Sequence, residues 1–330
     1  MKVAILGTTG AVGREIMKIL DERNFPLDEL VVLASPRSVG KMFPFKDGEV
    51  EVRLADENAF AGCDIVLSAV DSDIAIKLAP HAVAAGAVVI DNSSAFRLDA
   101  DVPLIVPEVN GDDIKWHKGI IANPNCSTII AAVAVNPIHK ISPLTRMTAS
   151  TYQAVSGAGA GGIIELEGQM KALYEGGDVE ASVFPYQIAY NLIPQIGGFD
   201  EDGNSSEEMK LQNEGRKILH CPDLAVNCTC VRVPVLRSHS ISICIETERP
   251  VSVAEARTAI ENAVGCRLMD NPNKKIYPMP LDTSDQDLIY VGRIRNDLAS
   301  SKGGLALWCC GDQIRKGAAT NAVQIAEMLI

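Results

Sequence analysis

No stretch of this sequence is long and apolar enough to cross a membrane. Its most apolar run, Ile129 to Val135, falls far short of the ~20 residues a spanning helix needs. Basic charge is also in short supply: 30 Lys plus Arg face 42 Asp plus Glu, a formal net charge of -12. A phosphate polymer or an anionic lipid surface would be repelled, which excludes a general nucleic-acid or membrane-surface binder. A small basic pocket for one anion remains compatible with that balance. The nine cysteines contain no CxxC pair, and Cys228/Cys230 and Cys309/Cys310 stand too close together for a zinc knuckle. We expect no metal site, a reducing cytoplasm, mostly buried thiols and one reactive thiol. No leader segment is visible: Met1-Lys2-Val3-Ala4-Ile5-Leu6 runs straight into a glycine loop and reads as a core strand. Internal repeats and low-complexity tracts are lacking as well.

What is present has a clear rhythm. The chain has 330 residues, enough for about two domains. Val3 to Leu6, Leu30 to Ala34, Ile65 to Ala69 and Val88 to Ile90 are short apolar strands. Helical spacing separates them: Arg14 to Arg23, with Ile16, Ile19 and Leu20 on one face, and Ile74 to Ala85. Strands alternating with helices imply a parallel sheet covered on both faces, an α/β Rossmann-type unit. Past about residue 125 the pattern changes. Ser127 to Val135 and Val253 to Val264 predict helices, and Arg146 to Gln153, Cys228 to Val235 and His239 to Glu246 predict longer strands. This second part predicts an α+β unit with a mixed sheet. Gly157 to Gly162 and Gly197 to Ser206 read as loops, and Asp312 to Ile330 as a final helix.

Gly7-Thr8-Thr9-Gly10-Ala11-Val12-Gly13 follows a strand and opens a helix, the setting a dinucleotide fingerprint requires. Its spacing is GxxGxxG, looser than GxGxxG, and a ligand-free strand–helix turn is the plain alternative. The glycines allow close backbone approach, and the helix N-terminus offers N–H groups to a pyrophosphate. At the end of the second strand, where an NAD site carries an acid, the sequence has Ala34-Ser35-Pro36-Arg37-Ser38. An Arg flanked by hydroxyls suits a 2′-phosphate, so NADP is expected over NAD. A solvated loop charge is the alternative for Arg37.

Asn123-Pro124-Asn125-Cys126-Ser127-Thr128 precedes an apolar helix, which puts Cys126 at a helix N-terminus where thiolate is favoured. The alternative is a small core residue. A nucleophilic thiol needs a base. Of the five histidines, His239 in Arg237-Ser238-His239-Ser240 ranks first, with a structural histidine as the alternative.

These segments, with Asn92-Ser93-Ser94-Ala95-Phe96-Arg97, Thr151 to Gly159, Glu207-Glu208-Met209-Lys210, Arg232-Val233-Pro234-Val235 and Arg315 to Asn321, resemble the aspartate-β-semialdehyde dehydrogenase family over essentially the whole chain. The resemblance implies reduction of L-aspartyl-4-phosphate by NADPH to L-aspartate 4-semialdehyde and phosphate through a cysteine thioester. That reaction belongs to lysine, methionine and threonine biosynthesis. By match to the family's motifs, Cys126 is the nucleophile, His239 the general acid/base, and Gln153 positions the substrate. Arg232 and Glu207 hold the amino-acid end, Arg97 and Lys210 the phosphate, and Asn125 also lies at the substrate. Gly7, Thr9, Gly10, Ala11, Val12, Gly13, Ser35, Arg37, Ser38, Ser156, Gly157 and Gln313 line the cofactor site, with Asn321 as the alternative amide to Gln313. The implied organisation is residues 1–125 plus a returning helix at 312–330 for the dinucleotide, and 126–311 for catalysis and dimerisation, as a homodimer or homotetramer. Competing readings are N-acetyl-γ-glutamyl-phosphate reductase and a non-catalytic NADP-binding relative.

Overall fold

The computed structural model describes all residues from Met1 to Ile330. Two compact units emerge, one of Met1–Asn125 with Ala318–Ile330, the other of Cys126–Gly317.

The first unit opens with β1 (Lys2–Leu6), α1 (Ala11–Glu22) and β2 (Glu29–Ala34), followed by a hairpin of β3 (Met42–Phe45) and β4 (Gly48–Leu54). Then come β5 (Ile65–Ser68), α2 (Ser72–Ala84), β6 (Val88–Asp91), the single turn α3 (Pro107–Asn110) and β7 (Ile120–Ala122). The sheet order is β3-β4-β2-β1-β5-β6-β7, with every pair parallel except β3 on β4. The expected parallel sheet is therefore present, with one antiparallel strand added at its edge. β1 is central and buried on both faces, which is why Val3-Ala4-Ile5-Leu6 is a continuous apolar run. Ile16, Ile19 and Leu20 of α1 are fully buried, each contributing roughly 1.5–3 kcal/mol. α1 starts three residues before the predicted Arg14, because Gly10 to Gly13 wind directly into its first turn. A Cβ on Gly13 would lie 2.3 Å from the Gly7 carbonyl oxygen, so only glycine lets that turn pack on the loop.

The second unit contains α4 (Cys126–His139), β8 (Leu144–Gln153), α5 (Ala160–Glu175), α6 (Ser206–Ile218), β9 (Ala225–Arg232) and β10 (His239–Thr247). It closes with α7 (Val253–Glu261), β11 (Cys266–Leu268), the short α8 (Pro280–Thr283), β12 (Ile289–Asn296) and β13 (Leu305–Gly311). The sheet order is β11-β12-β13-β10-β8-β9. β8 and β9 pair in parallel, as do β11 and β12, while the others run antiparallel, giving the expected mixed sheet. Ser127 to Ile138 of α4 are buried on all sides, which explains an apolar run with no polar stripe.

Three sequence expectations change here. Gly157 to Gly162 is not one loop: a tight turn at Val155–Ala158 leads through Gly159 (φ 78) into α5. Gly162 serves packing, because its Cβ would come 2.2 Å from the Val155 carbonyl oxygen. Cys228 to Val235 is shifted, as β9 starts at Ala225 and ends at Arg232. The final helix does not begin at Asp312. That carboxylate accepts the Ile314 and Arg315 N–H groups, a wide π turn follows at Arg315–Ala319, and the α-helix α9 is Thr320–Glu327. Ala319, Ala322, Val323, Ile325 and Ala326 join Ile5, Ile16 and Ile90 in the core of the first unit.

Candidate active site

Three strands of the second unit end at one edge. Gln153, last in β8, stands in register with Arg232, last in β9. Ser240 pairs with Tyr152, which brings His239, first in β10, to the same edge. Strand alternation puts His239, Gln153 and Arg232 on one face of the sheet, and all three are buried. Cys126 opens α4, and its Sγ lies 3.5 Å from His239 Nε2. His239 Nδ1 accepts the Ala154 backbone N–H at 3.0 Å. Burial pushes the imidazole pKa down to about 3, with the Arg232 charge adding to that shift and Glu207 opposing it.

The chain is forced into position just ahead of His239. Ser238 has φ 77, the left-handed region that costs a non-glycine residue about 1 kcal/mol or more. Its N–H donates to Gln313 Oε1 at 2.8 Å, and its hydroxyl bonds the Thr283 hydroxyl. Arg237, one residue earlier, is locked to the buried Asp312 at 2.6 Å and to Asp285 at 2.9 Å. Gln313 also donates to the Ser156 hydroxyl, which in turn donates to Leu236 O.

Polar side chains around the strand ends form one chain of hydrogen bonds. The Thr151 hydroxyl donates to Gln153 Oε1 at 2.8 Å, Gln153 Nε2 donates to Glu207 Oε1 at 3.0 Å, and Lys210 Nζ donates to Glu207 Oε2 at 3.0 Å. Glu207 lies in the first turn of α6, which Ser205 and Glu208 cap reciprocally. Glu208 additionally accepts the Cys230 N–H at 2.9 Å and ties α6 to β9. Arg232 donates from Nη1 to Ala154 O at 2.6 Å, and its guanidinium carbon lies 5.7 Å from the centre of the Phe184 ring. Burial pulls the Arg232 pKa down, with Cys126 and Glu207 opposing the shift. Behind Phe184, the Glu165 carboxylate gathers the Ser182, Val183 and Phe184 N–H groups and the Ser182 hydroxyl. Two glycines make room: a Cβ on Gly157 would lie 2.8 Å from Arg232 Nη1, and one on Gly317 would lie 3.0 Å from Cys126 Cβ.

The first unit carries a cleft of about 630 Å³ lined by Gly7, Thr9, Gly10, Ser35, Pro36, Asp56, Glu57, Val70 and Lys77, among others. Gly7 (φ 92) presses against the Ala69 carbonyl, where a Cβ would come to 2.4 Å. Gly10 gives α1 no side-chain cap. Arg37 is exposed and Ser38 buried in the tight turn after β2; neither lines the cleft wall, which carries Asp56 and Glu57 instead. Arg97 is buried, donating to Asn123 O at 3.0 Å and Asn92 O at 2.7 Å. Asn125 is buried too. Asn321 turns its amide into the core of this unit, donating to Ile105 O and Asn123 Oδ1.

Of the residues named from sequence, Cys126, Gln153, Ser156, Gly157, Glu207, Lys210, Arg232, His239 and Gln313 all come together in the second unit. Two models of known families match the chain. Residues 2–117 match the semialdehyde dehydrogenase NAD-binding domain and residues 135–316 the semialdehyde dehydrogenase dimerisation domain. An aspartate-semialdehyde dehydrogenase of Aquifex aeolicus is 52% identical, covering 100% of this chain and 98% of that protein. The crystal structure of aspartate semialdehyde dehydrogenase II from Vibrio cholerae, complexed with ASA, superposes with a TM-score of 0.97 at 44% identity, covering 99% of this chain and 97% of that one. The enzyme of Candida albicans, solved with NADP, gives 0.76 at 26% identity, over 99% and 98%.

The chain belongs to the aspartate-semialdehyde dehydrogenase family.

Within that family assignment, several neighbours of the site had escaped the sequence reading. Thr151 was detectable in principle, since it lies two residues before Gln153 on the same strand face. Glu165, Phe184 and the Ala154 N–H gave no signal, because long-range packing brings them to the site.

Proposed function

We propose that this chain reduces L-aspartyl-4-phosphate to L-aspartate 4-semialdehyde with release of phosphate, through a thioester on Cys126. The observation that carries the reading is the Cys126–His239 pair at 3.5 Å beside a buried Arg232. The helix dipole of α4 and the Arg232 charge favour thiolate, the attacking form. Arg232 offers a fork for the substrate carboxylate, and Glu207 offers an acceptor for its ammonium, with Gln153 between them. Lys210 is a phosphate ligand in this reading. Asn125, which precedes the nucleophile, belongs to the substrate site.

The first unit fits a dinucleotide: Gly7 and Gly13 allow the backbone approach that a Cβ would block, and the uncapped start of α1 offers N–H groups to a pyrophosphate. Gly7, Thr9, Gly10, Ala11, Val12, Gly13 and Ser35 would hold it. The bound cofactor would supply hydride to the thioester carbon. We read it as NADP, supported by Arg37 between Ser35 and Ser38 and by the NADP-bound relative, against the acids Asp56 and Glu57. A homodimer through the second unit is supported by the matching dimerisation domain. It is also supported by a half-exposed sheet face where Tyr152 and Trp308 pack 5.4 Å apart.

The test is the reverse assay, following NADPH formation from aspartate semialdehyde with phosphate, beside the acetylated glutamate semialdehyde. Turnover of the aspartate compound alone supports the reading, and turnover of the acetylated one alone overturns it. Cys126→Ala is expected to abolish turnover while keeping NADPH binding; undiminished turnover would remove Cys126 as nucleophile.

A further inference from the structure

We propose that Glu208 is a positioning residue for the amino-acid site. Its single carboxylate fastens the start of α6, which carries Glu207 and Lys210, to the free edge of β9, which carries Arg232. It thereby sets the gap between the groups that hold the substrate's ammonium, phosphate and carboxylate. The inference rests on the proposed reaction, in which those groups are Glu207, Lys210 and Arg232.

β9 is the last strand of its sheet and pairs with β8 on one side only. An edge strand presents N–H and C=O groups with no further strand to meet them. At the site these groups are taken up one by one. The Arg232 N–H donates to Ile193 O at 2.8 Å, and the Ile193 N–H donates to Arg232 O at 3.0 Å. The Cys230 N–H, two residues earlier on the same edge, donates to Glu208 Oε1 at 2.9 Å. Glu208 Oε2 accepts the Ser205 N–H at 2.6 Å, and the Ser205 hydroxyl accepts the Glu208 N–H at 3.4 Å, which closes the capping box of α6. A capping box uses only one carboxylate oxygen. Here the spare oxygen leaves the helix and binds another element. Cys230 and Ser205 are both buried, so losing Glu208 would leave their N–H groups without water to turn to.

The chain itself joins the two elements loosely. Between Ile193, which flanks Arg232, and Ser205, which caps α6, it runs through the exposed stretch 197–204. One other tie crosses the gap, the bond from Gln153 Nε2 to Glu207 Oε1. Both side chains in that bond are ones the substrate engages, so it is drawn on whenever the site fills. The bonds of Glu208 end on backbone N–H groups of α6 and β9 and stay in place. Glu208 thus holds the frame inside which Gln153, Glu207 and Arg232 meet the substrate, and it acts through their backbones rather than on the reacting atoms.

Two variants of the full-length protein separate the tie from the cap. Glu208→Asp keeps a capping acid at the same helix position but draws the carboxylate back by one methylene, away from Cys230. Ser205→Ala removes the capping hydroxyl and leaves both Glu208 oxygens on their N–H groups. Each is followed by steady-state kinetics in the direction of NADPH formation and by its urea midpoint. For Glu208→Asp we expect the KM values for aspartate semialdehyde and phosphate to rise about tenfold, with kcat and the KM for NADP⁺ within about twofold of wild type. For Ser205→Ala we expect wild-type KM values and a lowered urea midpoint. A merely structural Glu208 would lower the midpoint and the active fraction and leave both KM values alone, so unmoved KM values in Glu208→Asp overturn the proposal. A rise in Ser205→Ala as large as that in Glu208→Asp also overturns it, because the effect would then trace to the helix cap. Wild-type protein without turnover would remove the proposed reaction and this inference together, whereas wild-type turnover beside an unmoved Asp variant removes the inference alone.

Discussion

The Thr151 hydroxyl and the Gln153 amide are bonded at 2.8 Å, two residues apart on one face of β8, and this bond decides which end of the amide faces Glu207. With Oε1 held by Thr151, Nε2 must point along the strand ends towards Glu207. Thr151→Val keeps the shape and removes the donor. Losing one buried hydrogen bond costs about 1 kcal/mol, so we expect the KM for aspartate semialdehyde to rise roughly fivefold. Steady-state kinetics check this, and an unchanged KM would mean that Gln153 is oriented by Glu207 alone.

Gly157 makes a second, steric prediction. Arg232 is pinned to Ala154 O at 2.6 Å and has little room to retreat from a Cβ that would arrive 2.8 Å from Nη1. Gly157→Ala should lower kcat/KM by about tenfold to a hundredfold through displacement of Arg232 and His239. The urea midpoint should barely move. Wild-type kinetics in this variant would show that the strand end yields without cost.

Glu165 gives a pH prediction. Burial pushes its carboxyl up, but the N–H groups of Val183, Ser182 and Phe184 and the Ser182 hydroxyl outweigh this and hold it below its ordinary value of 4.5. A depressed acid contributes stability above its unfolded pKa and loses it as pH falls through the folded one. Glu165→Gln should therefore lower the urea midpoint at pH 7, and the gap to wild type should narrow as the pH falls below the ordinary value of 4.5 and through the depressed folded one. The same variant loosens the backbone behind Phe184 and should raise the KM that depends on Arg232. A gap that persists unchanged into acid would contradict the assigned cause.

Arg37 tests the cofactor preference. Arg37→Ala should raise the KM for NADPH about tenfold and leave that for NADH nearly unchanged, since only the former carries the 2′-phosphate. A constant ratio of the two would leave Arg37 a solvated surface charge.

The parts of the fold that were legible in the sequence are those set by local patterning. β1, α1 and β10 follow directly from their apolar spacing, and the buried α4 from its unbroken apolar run. The β3–β4 hairpin was missed although Val50 and Val52 alternate with Glu49, Glu51 and Arg53 after an Asp47-Gly48 turn. α5 was missed because glycines demanded by close packing look the same in sequence as glycines demanded by a loop. The site shows the same division. Cys126, His239 and Arg232 stand in recognisable segments, but which nitrogen of His239 meets Cys126 depends on the backbone N–H of Ala154, just past the end of β8. No residue identity encodes that. Gln313, expected at the cofactor site, also accepts the Ser238 N–H through its amide oxygen, a contact its position in the sequence does not announce.

The tail of the chain completes the first unit. Ala319, Ala322, Val323, Ile325 and Ala326 fill the same core as β1 and α1, which lie more than 290 residues earlier. The unit built around the glycine loop therefore lacks part of its interior until this tail is in place, whereas the last strand of the second unit, β13, ends at Gly311. A chain truncated ahead of Ala319 would expose that unfilled core to chaperones and proteases.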